Sequence, residues 1–371
     1  NDDRKKKMYI YGILNSNASL QLSIPKDLLL EEGESNGVYT IAYQGISALV
    51  RGSEIVDTST SLSINGERSR TIDYAHMRKD VLARLLVGHQ TVIERIMTAQ
   101  DTIIPMRLGT NACDETEVRD ILSKGYNLIK EIFERISNKI EIDLTSTWGD
   151  LASIIKEAGE EKEIKEFKER LLSNPQGITA DDQMKIGFML KRVLDKKRDN
   201  YACQIQEALK TVSPDFKAHE LMDDKMVVNT AFLIDKDKRE DFDKKVEELN
   251  AKFNEKLNFR CIGPLPPYSF YTLEIKKLKF EEIDGARKRL EILEDRSSRD
   301  DIKKAFHRQV FIFHPDKNPD KPGTEKDYDE IVRSYNILLD YGRACEQVGQ
   351  ESLIFNEDEF KKNAVLVKVR G

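Results

Sequence analysis

A histidine–proline–aspartate turn, His314-Pro315-Asp316, sits late in the chain between two stretches with helical periodicity. Ile302, Ala305, Phe306, Gln309, Val310 and Phe313 precede it, and Tyr328, Ile331, Val332, Tyr335 and Leu338 follow. That spacing places each set on one face of an α-helix. Proline cannot continue the first helix, because it lacks an N–H and its ring strikes the preceding turn. The two helices are therefore expected to fold back on each other as an antiparallel hairpin with a polar tip. The hairpin uses a small part of a 371-residue chain. One core rarely grows that large, so more than one domain is expected.

Composition narrows the function classes. Hydrophobic residues make up 39% and charged residues 34%, with a net charge of −6. A negative chain is poorly suited to broad nucleic-acid binding, which needs cations against phosphates. No apolar run approaches the roughly 20 residues of a membrane-spanning helix. Neither a nucleic-acid nor a membrane partner is expected. Arg4, Lys5, Lys6 and Lys7 are followed by Tyr9, Gly12, Asn15 and Asn17, which interrupt any secretory leader core. Cys113, Cys203, Cys261 and Cys345 form no Cys-x-x-Cys pair, which reads as reduced thiols of a cytoplasmic protein. His76, His89, His219, His307 and His314 show no paired metal-ligand spacing. No local Ser-His-Asp or Cys-His arrangement is visible. The expectation is a binding protein, not an enzyme, with no metal, no cofactor and no catalytic residue.

Along the chain, Met8–Leu14, Val38–Tyr43 and Ile46–Val50 read as strands. Asp73–Thr98 and Asp114–Ile136 have helical spacing. Ile103–Arg107 is a short extended piece that Pro105 demotes to an edge or bulge. Lys139–Trp148 alternates as a strand. Helices on one face of a small antiparallel sheet make an α+β domain, assigned to residues 8–149 and approximating a ferredoxin-like fold. Residues 150–218 read as charged helices interrupted at Asn174-Pro175-Gln176-Gly177, with an apolar stripe of Phe188, Leu190, Val193 and Leu194. A second, similar α+β domain spans 219–279, with a strand Met226–Ile234, a helix Lys238–Leu257 and a strand Asn258–Ile262. Gly263-Pro264-Leu265-Pro266-Pro267 then enforces an extended exit. The helical hairpin segment covers 280–345. A tail, 346–371, carries the strand Ala364–Val369, which needs a sheet edge to be stable.

The hairpin segment resembles the J domain, the module by which DnaJ-type co-chaperones engage a DnaK-type ATPase. The resemblance implies that His314, Pro315 and Asp316 are recognition groups at the tip. It also implies that the basic face of Lys303, Lys304 and Arg308 meets an acidic partner surface, where complementary charge speeds and orients docking. The preceding helix, read as Asp284–Leu293, lacks the usual Tyr pair, and the region after Tyr341 lacks the usual basic ending.

Four other runs resemble the gas vesicle protein F/L family. Pro105-Met106-Arg107-Leu108-Gly109-Thr110 matches a family element, with Leu108 replacing an aromatic. Thr147-Trp148-Gly149 matches another, and Asn229–Asp235 with Asp237 a third. The most specific is Cys261-Ile262-Gly263-Pro264-Leu265-Pro266-Pro267-Tyr268-Ser269-Phe270. The resemblance spans about residues 8–275 plus the terminal strand, and the J-like segment is its departure from the family pattern. It implies two modified ferredoxin-like domains joined by helices, in an accessory or minor structural protein of cytoplasmic gas vesicles. Its implied partners are the shell protein and other accessory proteins. On the residues themselves, Gly109 reads as a turn and Arg107 as the partner of an internal carboxylate. Trp148 reads as an anchor between the first sheet and the following helices. Tyr268 and Phe270 alternate as on a half-buried strand. A second reading of the whole is a general J-domain co-chaperone whose first 275 residues bind clients.

Overall fold

Alternating apolar residues build the first sheet from β1 (Lys7–Leu14), β2 (Gln21–Ser23), β3 (Gly37–Tyr43) and β4 (Ile46–Ser53). The structure, a computed structural model, describes residues 7–17, 19–23, 37–53, 78–99, 102–173, 177–254, 256–314 and 324–370. After α1 (Lys79–Ala99) come β5 (Ile103–Pro105) and β6 (Asn111–Ala112), which both pair with β1. The order is β2-β3-β4-β1-β5, antiparallel throughout. The helix expected over 114–136 is two helices, α2 (Glu115–Lys124) and α3 (Tyr126–Ile136), broken at Gly125. Asp114 caps α2 by accepting the Glu117 N–H at 2.9 Å.

The next strand corrects the expected domain boundary. β7 (Lys139–Trp148) does not join the first sheet. It is followed by α4 (Leu151–Gly159), α5 (Lys162–Leu172), α6 (Ala180–Leu209), β8 (Asp215–Ala218), β9 (Met226–Asp235), α7 (Arg239–Lys252), β10 (Leu257–Leu265) and α8 (Tyr268–Tyr271). The second sheet runs β10-β7-β9-β8, with β7 inside it. Ile142, Leu144 and Trp148 on one face of β7 pack with Ile205 and Leu209 of α6 and Phe232 and Phe242. Trp148 is therefore an anchor of this second core, edge-on to Tyr201 at 5.7 Å, and not of the first sheet. Tyr268 and Phe270 lie in a one-turn helix, not on a strand.

The chain returns through β11 (Leu273–Lys277), α9 (Phe280–Arg289), β12 (Arg296–Ser297), α10 (Arg299–Phe313), α11 (Thr324–Gln347), β13 (Leu353–Ile354), α12 (Glu357–Lys362) and β14 (Val365–Val369). α9 starts and ends earlier than the periodicity suggested. The chain leaves it at Glu291, which takes φ +56°, and Leu293 beyond is 87% exposed. The terminal strand β14 pairs antiparallel with β11. Two compact units result, residues 1–135 with 271–371, and residues 136–270. The fold is α+β, two modified ferredoxin-like domains with a helical region and a C-terminal helical hairpin. The hairpin is part of the first unit, not a separate arm.

Candidate partner-docking site

The exposed side of α10 collects the charged residues singled out above. Ser298 fixes where the helix begins. Its Oγ accepts the Asp301 N–H at 3.2 Å, and Asp301 Oδ2 accepts the Ser298 N–H at 3.0 Å, a reciprocal cap. From that start Ile302, Ala305 and Gln309 turn inward and are buried, while Lys303, Lys304, His307 and Arg308 face solvent. Lys303 and His307 stand one turn apart on the helix surface, as do Lys304 and Arg308. His314 ends α10, its ring edge-on to Tyr328 at 5.7 Å. Pro315 and Asp316 lie outside the described residues. Beside the basic residues runs an open groove of about 1010 Å³, lined in part by Ile292, Glu294, Arg296, Lys304, Arg308 and Phe311. Phe311 is 67% exposed. The face thus offers cations and an apolar contact, the means of binding a protein surface.

Packing holds this face in position. The rings of Phe306 on α10 and Tyr335 on α11 stack at 4.1 Å. Arg289 of α9 pairs with Asp327 at 3.0 Å and lies over the Phe313 ring at 5.2 Å, a cation–π contact. Ile302, Ala305, Ile331, Leu338 and Tyr341 form the core expected from the periodicity. The same core takes in Leu353, Phe355, Phe360 and Leu366, which sequence periodicity did not mark. The Tyr341 hydroxyl donates to Ile354 O at 2.6 Å. Burial also pushes its pKa up.

The family runs map to structural supports. Pro105 closes β5 opposite Gly12. Arg107 Nη1 lies 3.0 Å from Glu274 Oε1, and its backbone N–H donates to Leu273 O at 2.7 Å. Gly109 takes φ +81°, a turn conformation that suits glycine. Its N–H donates to the Tyr9 hydroxyl at 3.2 Å. Tyr9 is 2.9 Å from His89 Nδ1, and His89 Nε2 is 3.1 Å from Met106 O. A carbonyl can only accept, so Nε2 carries the proton and Tyr9 donates to Nδ1. Burial pushes the His89 imidazole down to about 4, which keeps it neutral.

In the second unit Glu141 holds the most specific family run. It is 1% exposed. Its Oε2 accepts the Ser269 N–H at 2.9 Å and its Oε1 the Ser269 hydroxyl at 2.8 Å. Ser269 Oγ also lies 3.0 Å from His219 Nε2. Burial pushes the Glu141 carboxyl up to about 8, and that of its strand neighbour Asp143 up as well. Pro264, Pro266, Pro267 and Tyr268 lead the chain into that contact. Gly263 approaches β7 with φ +148°, and a Cβ there would stand 2.9 Å from Glu141 O. Neither His89 nor Glu141 carries a local sequence signal, since their partners are distant in the chain. Among the described residues no cluster of His, Cys, Asp or Glu is arranged to hold a metal, and no helix is long and apolar enough to cross a membrane.

Comparison with known proteins matches both parts. The family described as gas vesicle synthesis protein GvpL/GvpF matches residues 7–272, and the DnaJ domain matches residues 279–344. Gas vesicle protein F of Nostoc sp. (strain PCC 7120) is 23% identical over 233 residues, 62% of this chain and 91% of that protein. Human DnaJ homolog subfamily B member 2 is 49% identical over 60 residues, 15% of this chain and 18% of that protein. The crystal structure of GvpF from Anabaena sp. PCC7120 superposes with a TM-score of 0.56 at 20% identity, over 72% of this chain and 98% of that one, a likeness of fold. The chain belongs to the GvpL/GvpF family of gas vesicle synthesis proteins and carries a DnaJ domain at residues 279–344.

Proposed function

We propose that this protein holds shell subunits during gas vesicle assembly and recruits a DnaK-type chaperone through its J segment. One observation carries the reading. The exposed basic face of α10, ending at His314, is built into the same compact unit as the first sheet. A shell that keeps water out must be assembled from subunits with a strongly apolar face, and such faces aggregate when left exposed. A small sheet with short edges can take an extended segment in a controlled way. A chaperone drawn to Lys303, Lys304, Arg308 and the His314-Pro315-Asp316 tip would then act beside the held subunit, in the cytoplasm at the growing vesicle.

The intact chain is expected to stimulate ATP hydrolysis by the DnaK-type chaperone of the same cells, and His314→Gln to abolish that stimulation. The shell subunit is expected to co-purify with the chain, and cells lacking it to make few mature vesicles. An inert intact chain would remove the chaperone half of the reading. Normal vesicles without it would remove the assembly half and leave a general co-chaperone.

A further inference from the structure

We infer that α11, which runs past the DnaJ-matched residues to Gln347, has a second function, independent of chaperone docking: its C-terminal end shuts the outer edge of the first unit's terminal strand against pairing with other chains. The ladder between β11 and β14 assigns the direction of each backbone group. Leu278 N–H donates to Ala364 O at 2.8 Å, and Arg370 N–H donates to Thr272 O at 2.8 Å. In an antiparallel pair these roles alternate along the strand. The even-numbered residues of β14 therefore bond to β11, and Val365, Val367 and Val369 aim their N–H and C=O groups the other way. Among the described residues β14 has one strand neighbour, β11. A valine-rich strand with an open side is a template for adding a foreign strand.

The side chain of Gln347, the last residue of α11, occupies that open side. Its Oε1 accepts the Val367 N–H at 3.1 Å, and its Nε2 donates to Val367 O. One amide thus satisfies both backbone groups of the central residue, as the facing residue of another strand would. Neighbouring contacts seat the helix there. Lys276 of β11 pairs with Asp340 of α11 at 2.7 Å, and Leu366 of β14 lies in the J core. Charge plays little part at the amide itself, so salt should not release it.

The test compares the full-length protein with Gln347→Ala and with Gln347→Met, which keeps the side chain's length without its hydrogen-bonding atoms. Both variants should exchange the Val367 amide about tenfold faster, the effect of losing one hydrogen bond. Both should sediment as larger species as concentration rises, and bind a synthetic peptide of residues 364–370 that the parent ignores. Adding Val369→Lys, a charge on the edge, should return them to the parent's sedimentation. His314→Gln should sediment as the parent does. Folded variants that exchange faster at Val367 yet sediment like the parent and ignore the peptide would reduce Gln347 to one hydrogen bond and overturn the inference.

Discussion

Replacing Glu141 with glutamine should change the pH dependence of the second unit more than its structure. The carboxyl is enclosed, and its partners are the Ser269 N–H and hydroxyl and the side chain of Asp143. Burial is the leading cause that raises its pKa from an ordinary 4.5 to about 8. The sign follows from the proton count. Below the unfolded value both states hold the proton and stability is complete. As pH rises from 4.5 to about 8 the unfolded chain ionises while the fold keeps its proton, so stability falls. Each pH unit of that window is worth about 1.4 kcal/mol, which sums to about 4 kcal/mol between roughly pH 5 and pH 9. Glutamine preserves the geometry. Its carbonyl takes the Ser269 N–H, its amide donates to Ser269 Oγ, and it does not titrate in this range. The assay is urea unfolding across that pH range, followed by Trp148 fluorescence. The chain has a single Trp, and it is 5% exposed within the second core, so the signal reports that unit. The parent should lose stability as pH rises and Glu141→Gln should lose much less, overtaking the parent at the alkaline end. A constant stability difference between the two proteins at every pH would refute the buried-acid argument.

The first unit should respond to acid instead. His89 is held neutral, with a pKa lowered from 6.5 to about 4, so its contribution is present above 6.5 and lost as pH falls toward 4. That loss amounts to about 3 kcal/mol, and hydrogen exchange at the β1 amides should show it in the parent and not in His89→Gln. Truncation gives a further check on the J core. A fragment of residues 280–350 lacks Leu353, Phe355, Phe360 and Leu366, all buried in that core. Each large apolar side chain contributes about 1.5–3 kcal/mol on full burial, against a typical total stability of about 5–15 kcal/mol. The fragment should melt without cooperativity by circular dichroism, whereas residues 272–370 should unfold sharply. A sharp transition in the shorter piece would show that the C-terminal residues are dispensable.

The features legible in the sequence were those set by neighbours along the chain. Ile302, Ala305, Phe306, Gln309 and Val310 define the inward side of α10 whatever else surrounds it. The alternation of Ile140, Ile142 and Leu144 likewise reveals a half-buried strand. It says nothing about which sheet receives that strand, because the partners β9 and β10 begin at Met226 and Leu257. β8 is a largely exposed edge, and β11 reads Leu-Glu-Ile-Lys-Lys, so neither shows an apolar pattern. Tyr268 and Phe270 suggested alternation, but Pro266 and Pro267 sit where prolines favour a helix start, and Glu141 holds the Ser269 N–H at that turn. Glu141 and His89 stayed hidden for a related reason. A buried polar side chain is identified by its partner, and theirs lie 128 and 80 residues away.

The position of the J segment explains how one chain accommodates both modules. It lies between β11 and β14, and those strands are paired from Leu273 with Val369 to Lys277 with Val365. The ends of the whole stretch between these strands are therefore held side by side by the sheet, an arrangement that admits a long intervening segment without disturbing either strand. The same arrangement makes removal of the segment an ambiguous experiment. Cutting it out deletes the His314 end of α10 that is proposed to face a chaperone. A cut carried to the end of α11 also deletes Gln347 and exposes a valine-rich edge, so aggregation and lost chaperone recruitment would appear together. Point changes separate them, because His314 and Gln347 lie at the ends of different helices. An assembly defect caused by His314→Gln alone belongs to chaperone docking. One caused by Gln347→Ala alone belongs to the sheet edge.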